Sequence, residues 1–141
     1  MVNGDSAEIV VPATIDAIEQ VAMYLEEFLE KTEVPMMEAT RIQLAVEEAV
    51  TNVVMHGYDD SGGDVLIRLE SSPAQIAITI IDAGAAFDPT TIPPPDVTAD
   101  LDHRKIGGLG VHLIRSVMDE VRYARERDQN KLTLIKNITS G

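Results

Sequence analysis

The sequence predicts an α+β two-layer sandwich, with helices on one face of a mixed, mainly antiparallel sheet. Two observations carry this. Segments with helical apolar spacing stand apart from segments that alternate, and the order runs strand, helix, helix, hairpin, aperiodic stretch, helix, hairpin. A doubly wound parallel sheet would need strands alternating with single helices, which this chain lacks. With 141 residues the chain has room for one domain, spanning 1–141, and not for two.

Glu8-Ile9-Val10-Val11, closed by Pro12, reads as a short strand at a sheet edge. Thr14 is placed to N-cap a helix in which Ile15, Ile18, Val21, Ala22, Leu25, Phe28 and Leu29 recur at helical spacing. That helix ends near Lys31, before Val34-Pro35. A second helix is expected from about Met37 to His56, with Gly57 as a left-handed C-cap. After the turn cluster Asp59-Asp60-Ser61-Gly62-Gly63, two alternating segments, Val65 to Glu70 and Gln75 to Asp82, form an antiparallel hairpin. From Ala83 to Lys105 no period is visible, and a stretch of that length inside a compact domain suggests a functional lid, about residues 84–107, with a disordered insertion as the alternative. Pro93-Pro94-Pro95 would stiffen it. Gly107-Gly108-Leu109-Gly110 opens a third helix whose apolar stripe is Val111, Ile114, Val117 and Met118. Two strands close the chain, Glu120 to Glu126 and Leu132 to Ile138, around a turn at Arg127-Asp128-Gln129-Asn130.

Composition narrows the function. Eleven Lys and Arg against 24 Asp and Glu give a net charge of −13, which argues against partners bound by phosphate neutralisation, nucleic acid first among them. No apolar run approaches a membrane span, and Met1-Val2-Asn3-Gly4-Asp5 is not a secretion signal, so a soluble cytoplasmic protein is expected. The absence of cysteine excludes a disulfide scaffold, a thiolate zinc site and a cysteine nucleophile. His56, His103 and His112 lack metal-ligand spacing on one element, and His56 reads as a helix-end structural residue.

Three places carry chemistry. In the second helix, Glu48 and Asn52 lie four apart on the flank of the buried stripe of Ile42, Val46, Ala49, Val50 and Val53, whereas Glu47 points toward solvent. A carboxylate and an amide carbonyl there form a hard-oxygen pair suited to Mg²⁺ and phosphate, and Glu48 could accept a proton from an attacking hydroxyl. The same pair could equally be a helix-stabilising contact. At the end of a strand, Asp82 can accept a hydrogen bond from an exocyclic amine, with Gly84 allowing a flat ring to approach; a plain turn is the alternative. The glycines at 107, 108 and 110 before a helix can turn backbone N–H groups toward phosphate oxygens, or serve only as a hinge. They match neither the Walker A nor the Rossmann pattern.

Glu48-Ala49-Val50-Thr51-Asn52 with His56-Gly57-Tyr58 resembles the N box of the GHKL, or histidine-kinase-like, ATPase superfamily in its anti-sigma factor serine kinase branch. Asp82-Ala83-Gly84 resembles the first glycine box, and Gly108-Leu109-Gly110 the second. The resemblance runs from Ile9 to Ile138 and implies a Bergerat-type sandwich binding Mg-ATP beneath a lid. It implies that Asn52 coordinates Mg²⁺, Glu48 activates the acceptor hydroxyl, and Asp82 with Gly84 meets the adenine. Gly108, Leu109 and Gly110 would face the phosphates. The implied activity is phosphorylation of a serine on an anti-anti-sigma (STAS-type) partner, with a sigma factor as a second partner and a homodimer as the assembly. The chain departs from the pattern at Ala86, where the first box carries a second glycine, and at Ile106, where related kinases often have Arg. Lys105, beside Arg104, is the candidate cation for the γ-phosphate. Thr133 lies on a late strand where the superfamily sometimes has an adenine contact; it is kept as an ordinary strand threonine. The alternative to a kinase is a module that binds ATP and sequesters a regulator without phosphotransfer.

Overall fold

The structure, a computed structural model, describes residues 4–58, 62–88 and 108–138, with the side chains of 108–112 left aside. The elements are β1 (Asp5–Pro12), α1 (Ile15–Lys31), α2 (Met36–Asn52), β2 (Asp64–Ser71), β3 (Gln75–Asp82), α3 (Gly108–Val117), β4 (Glu120–Glu126) and β5 (Gln129–Asn137). Residues Val53–Gly57 continue α2 as a π-helical turn. The strands form one sheet in the order β1-β2-β3-β5-β4. Every pairing among the described residues is antiparallel, where the sequence suggested a mixed sheet. The long connection from β3 through α3 to β4 lets β5 return beside β3, which brings the two ends of the chain's chemistry together.

Alternation in the strands decides which face is covered. Val65, Ile67 and Leu69 of β2, Ile76, Ile78 and Ile80 of β3, and Leu134 of β5 are buried under the helices. From the helices, Val21, Leu25 and Leu29 of α1, Ile42, Val46 and Val50 of α2, and Ile114 of α3 close this core. The expected stripe on α1 needs one correction. Ile15 is 73% exposed and Ala17 fully buried, because two positions turn the helix by about 200° and put Ile15 on the far side.

Helix ends follow local chemistry. Thr14 occupies the N-cap of α1, but its side chain makes no capping bond. At the other end Glu33 takes a left-handed conformation (φ 61°), and the Glu33 and Val34 N–H groups bond back to the Glu30 and Leu29 carbonyls. Gly57 does not end α2 with a left-handed cap as the sequence suggested. Among the described glycines only Gly62 has positive φ, and α2 instead widens into the π turn before the extended Tyr58. The last hairpin turns on Arg127 and Asp128, both with positive φ, a two-residue turn of the kind that matches strand twist. That is shorter than the turn expected over 127–130, and it moves Asn130 into the strand. No helix among the described residues is long and apolar enough to cross a membrane.

Candidate functional site

The π turn and the end of β3 meet at two glycines. A Cβ on Gly84 would lie 2.1 Å from the Gly57 carbonyl oxygen, so the two backbones touch only because Gly84 lacks a side chain. The Ala85 N–H donates to that same carbonyl at 2.6 Å. Gly84 itself does not line the cleft described below; its missing side chain serves backbone packing. Tyr58 secures the other side, donating from its hydroxyl to the Asp64 carbonyl at 2.7 Å and accepting from the Ala83 N–H at 2.7 Å. Arg125 of β4 reaches across to donate to the Gly84 carbonyl at 2.8 Å. A π turn is costly to keep and is often found at functional sites. Here it brings the end of α2 against the loop after β3.

Between α2, α3 and the end of the sheet lies an open cleft. Its walls are largely apolar, built from Ala49, Val53, Ile80, Phe87, Ile114 and Leu132. Four polar side chains face it: Asn52, Asp82, Tyr123 and Asn130. An apolar slot with a few placed polar groups is the usual form of a small-molecule site.

Asp82 is 5% exposed. Its Oδ1 accepts from the Gly84 N–H at 2.9 Å and from Asn130 Nδ2 at 3.0 Å. Its Oδ2 has no partner among the described residues. Asn52 is 8% exposed, and its side-chain amide also lacks a partner among them. Leaving such a buried amide unmet costs about 1–3 kcal/mol, and both groups are open to a partner that enters the cleft. Glu48, one turn earlier on α2, is half-buried and does not line the cleft, while Glu47 is exposed.

The remaining sequence-predicted residues fall as follows. Gly108, Leu109 and Gly110 form the first turn of α3, whose leading N–H groups have no acceptor within the helix. Ile114 on the same helix lines the cleft. Lys105, Arg104, Ile106, Gly107 and most of the expected lid lie outside the described residues, as does His103. Ala86 is exposed. Thr133 pairs with Thr79 and Arg122, and alternation sets it on the sheet face opposite Leu132 and the cleft. His56 is exposed at the π turn. Four residues that sequence reasoning did not single out now belong to the site or its frame: Tyr58, Tyr123, Arg125 and Asn130. Only Tyr58 had a signal, through its place in the N-box-like run.

This antiparallel sheet under three helices, with a buried carboxylate and a buried amide facing one cleft, has the form of a nucleotide-binding ATPase domain. Residues 11–136 match the family model of the histidine kinase-like ATPase domain. The chain belongs to that family. Within it, the chain is 34% identical over 128 residues to the serine-protein kinase RsbW of Staphylococcus aureus strain MSSA476, covering 86% of this chain and 80% of that protein. The same protein of strain Newman is equally similar, at 34% over 128 residues. Among solved structures, the crystal structure of the RsbU and RsbW domains of Rv1364c from Mycobacterium tuberculosis superposes with a TM-score of 0.69 at 20% identity. That match covers 97% of this chain but 33% of the other, so this chain spans about a third of it and shares its fold.

Proposed function

We propose that the chain is an ATP-dependent protein-serine kinase of the anti-sigma factor type. In this reading it phosphorylates a serine of an anti-anti-sigma, STAS-type partner and regulates a sigma factor by partner switching. The observation that carries it is the buried amide of Asn52, without a partner among the described residues, facing the same cleft as an Asp82 oxygen that also has none among them. One is suited to a metal or phosphate and the other to an exocyclic amine, the two ends of a Mg-nucleotide. The relatives named serine-protein kinase support the phosphotransfer part.

Asn52 would hold Mg²⁺ through its carbonyl oxygen, with most other ligands from phosphates and water. When bound, the ion supplies neutralisation of phosphate charge. The glycine turn at Gly108, Leu109 and Gly110 would offer its free N–H groups to the phosphates, with Lys105 beside them. Glu48 would take the proton of the partner's serine as its oxygen bonds to the γ-phosphorus. The bond from that phosphorus to the β–γ bridging oxygen then breaks, and ADP departs with the electron pair. A homodimer completes the reading. Val10, 56% exposed, is in register with Leu66 and Ile81 across β1, β2 and β3, and this apolar row on the uncovered sheet face is where a second copy would pack.

The test is transfer of labelled γ-phosphate from ATP to STAS-type proteins of the same genome, with the site mapped by mass spectrometry. Glu48→Gln should lower the rate by about 10²-fold or more while ATP still binds. A protein saturated with ATP that phosphorylates none of them sinks the kinase reading. One observation favours the second reading, a sequestering module: Glu48 stands outside the cleft. A Glu48→Gln protein with undiminished regulatory effect would support that one.

A further inference from the structure

Asn130 lines the cleft, is 5% exposed, and has no bond left to give a ligand. Its Nδ2 donates to Asp82 Oδ1 at 3.0 Å and to the Ala85 carbonyl at 2.8 Å. Its Oδ1 accepts from the Tyr123 hydroxyl in a short hydrogen bond and from the Phe87 N–H at 3.4 Å. A primary amide has two N–H donors and two lone pairs, so all four are used. The direction of the amide is fixed by its partners: the carboxylate and the Ala85 carbonyl can only accept, and the Phe87 N–H can only donate. A contact residue would keep a group free for the nucleotide. Asn130 instead acts on its neighbours.

We propose that Asn130 is the positioning residue that sets base specificity, by locking the Asp82 carboxylate in the orientation that selects adenine. The proposal rests on the nucleotide-binding reading above. Asp82 Oδ1 is filled by the Gly84 N–H and by Asn130, so Oδ2 is the oxygen left for the base. Turning the carboxylate about its Cβ–Cγ bond would break both of those bonds. A fixed, buried acceptor matches the exocyclic amine of adenine. Facing the 6-carbonyl of guanine it sets lone pair against lone pair, the kind of mismatch that a polar site rejects strongly. The same amide holds Ala85 and Phe87, so the orientation of Asp82 and the path of the chain after β3 are set together. Tyr123 stiffens the arrangement from β4.

A merely structural amide would weaken adenine and guanine nucleotides alike. The experiment therefore measures Kd for Mg-ADP and Mg-GDP by calorimetry, on the full chain and on Asn130→Ala, Asn130→Asp, Tyr123→Phe and Asp82→Asn. Losing one hydrogen bond to a charged group should weaken ADP about tenfold in Asn130→Ala and leave GDP within about twofold, so the ADP:GDP preference falls about tenfold. Asn130→Asp, which sets a second carboxylate against Asp82, should lower it at least as far. Tyr123→Phe, the mildest change to the fold, should lower it about threefold. In the Asp82→Asn background, Asn130→Ala should cost no further preference, because its effect runs through the carboxylate. An unchanged preference in the folded Asn130 and Tyr123 variants overturns the proposal, and so does an equal loss for both nucleotides. If the unaltered protein binds neither nucleotide, the nucleotide-binding reading itself fails. If it prefers ADP and the variants prefer it equally, only the role of Asn130 fails.

Discussion

Gly84→Ala tests whether the approach of the π turn to the loop after β3 shapes the site. A Cβ at this position would lie 2.1 Å from the Gly57 carbonyl oxygen, 2.5 Å from its carbon and 2.9 Å from the Gly57 Cα. All three are backbone atoms, so no side chain can rotate away. The two segments would have to part by about 1 Å to restore ordinary contact. Three hydrogen bonds oppose that: Ala85 N–H to Gly57 O at 2.6 Å, Gly84 N–H to Asp82 Oδ1 at 2.9 Å, and Arg125 Nη1 to Gly84 O at 2.8 Å. Overpacking costs about 1–3 kcal/mol and a weakened hydrogen bond about 1 more, for a total of about 2–4 kcal/mol. For a domain of this size each kcal/mol lowers Tm by about 3 °C, so melting followed by circular dichroism should fall by about 6–12 °C. Asp82 moves with Gly84, and Mg-ADP affinity should drop about tenfold or more. Gly62→Ala is the control. Its φ of +72° brings strain but nothing lies within 4 Å, so it should cost about 1–2 kcal/mol and leave nucleotide affinity alone. A Gly84→Ala protein that melts within about 1 °C of the unaltered chain would show that the two segments can part at no cost.

Three further outcomes are expected. ATP at about 100 times its Kd should stabilise the domain by about 2.7 kcal/mol in Mg²⁺, and chelation should abolish most of that shift while sparing the smaller one from adenosine; equal shifts by ATP with and without the ion would count against Asn52 as a metal ligand. Ile78 is fully buried at the centre of the sheet, so Ile78→Ala should cost about 2–5 kcal/mol in urea unfolding, and a loss under about 1 would place the core elsewhere. The Asp5 carboxyl is held below its ordinary value of 3.8, first by the Ser6 N–H and then by Lys31. A lowered folded-state value stabilises at neutral pH and is lost as pH falls below 3.8, so Asp5→Asn should flatten only the acid end of the stability profile; a change confined to pH above 5 would contradict the sign.

Much of the fold was legible because it rests on period. Alternation in Val65 to Glu70 and Gln75 to Asp82 located a hairpin whose strands proved one residue or less from their expected bounds. Rotation about α2 separated exposed Glu47 from half-buried Glu48 and buried Asn52. What the sequence hid depended on register and on distant chain segments. Arg127 and Asp128 make a two-residue turn although neither is glycine, and only that short turn sets Asn130 opposite Asp82. Read as the end of a longer turn, Asn130 carried no signal. Gly57 looked like a cap because glycines after helices usually are. A side chain there would instead press on Val53 and approach Asp82 Oδ1, and the Gly57 carbonyl is met by Gly84, far along the chain, a contact that no local pattern shows.

The net charge of −13 at first only excluded polyanionic partners, and the cleft gives it a second meaning. No Lys, Arg or His lines the cleft among the described residues; its polar groups are two amides, a phenol and a carboxylate. Such a site attracts a nucleotide poorly by charge, yet it orients one well. A buried Asp82 repels phosphate and accepts an amine, so a reversed nucleotide pays twice, in repulsion and in an unmet amine. In the proposed nucleotide-binding reading, the favoured pose would put the base on Asp82 and the phosphates toward Asn52 and the start of α3. There, backbone N–H groups and the cation brought with the nucleotide would supply the attraction that the side chains lack. Base selection and charge neutralisation would thereby fall to different elements, the strand ends for one and the helices for the other. Substitution at Asp82 or Asn130 can then change which nucleotide is chosen without touching how its phosphates are held.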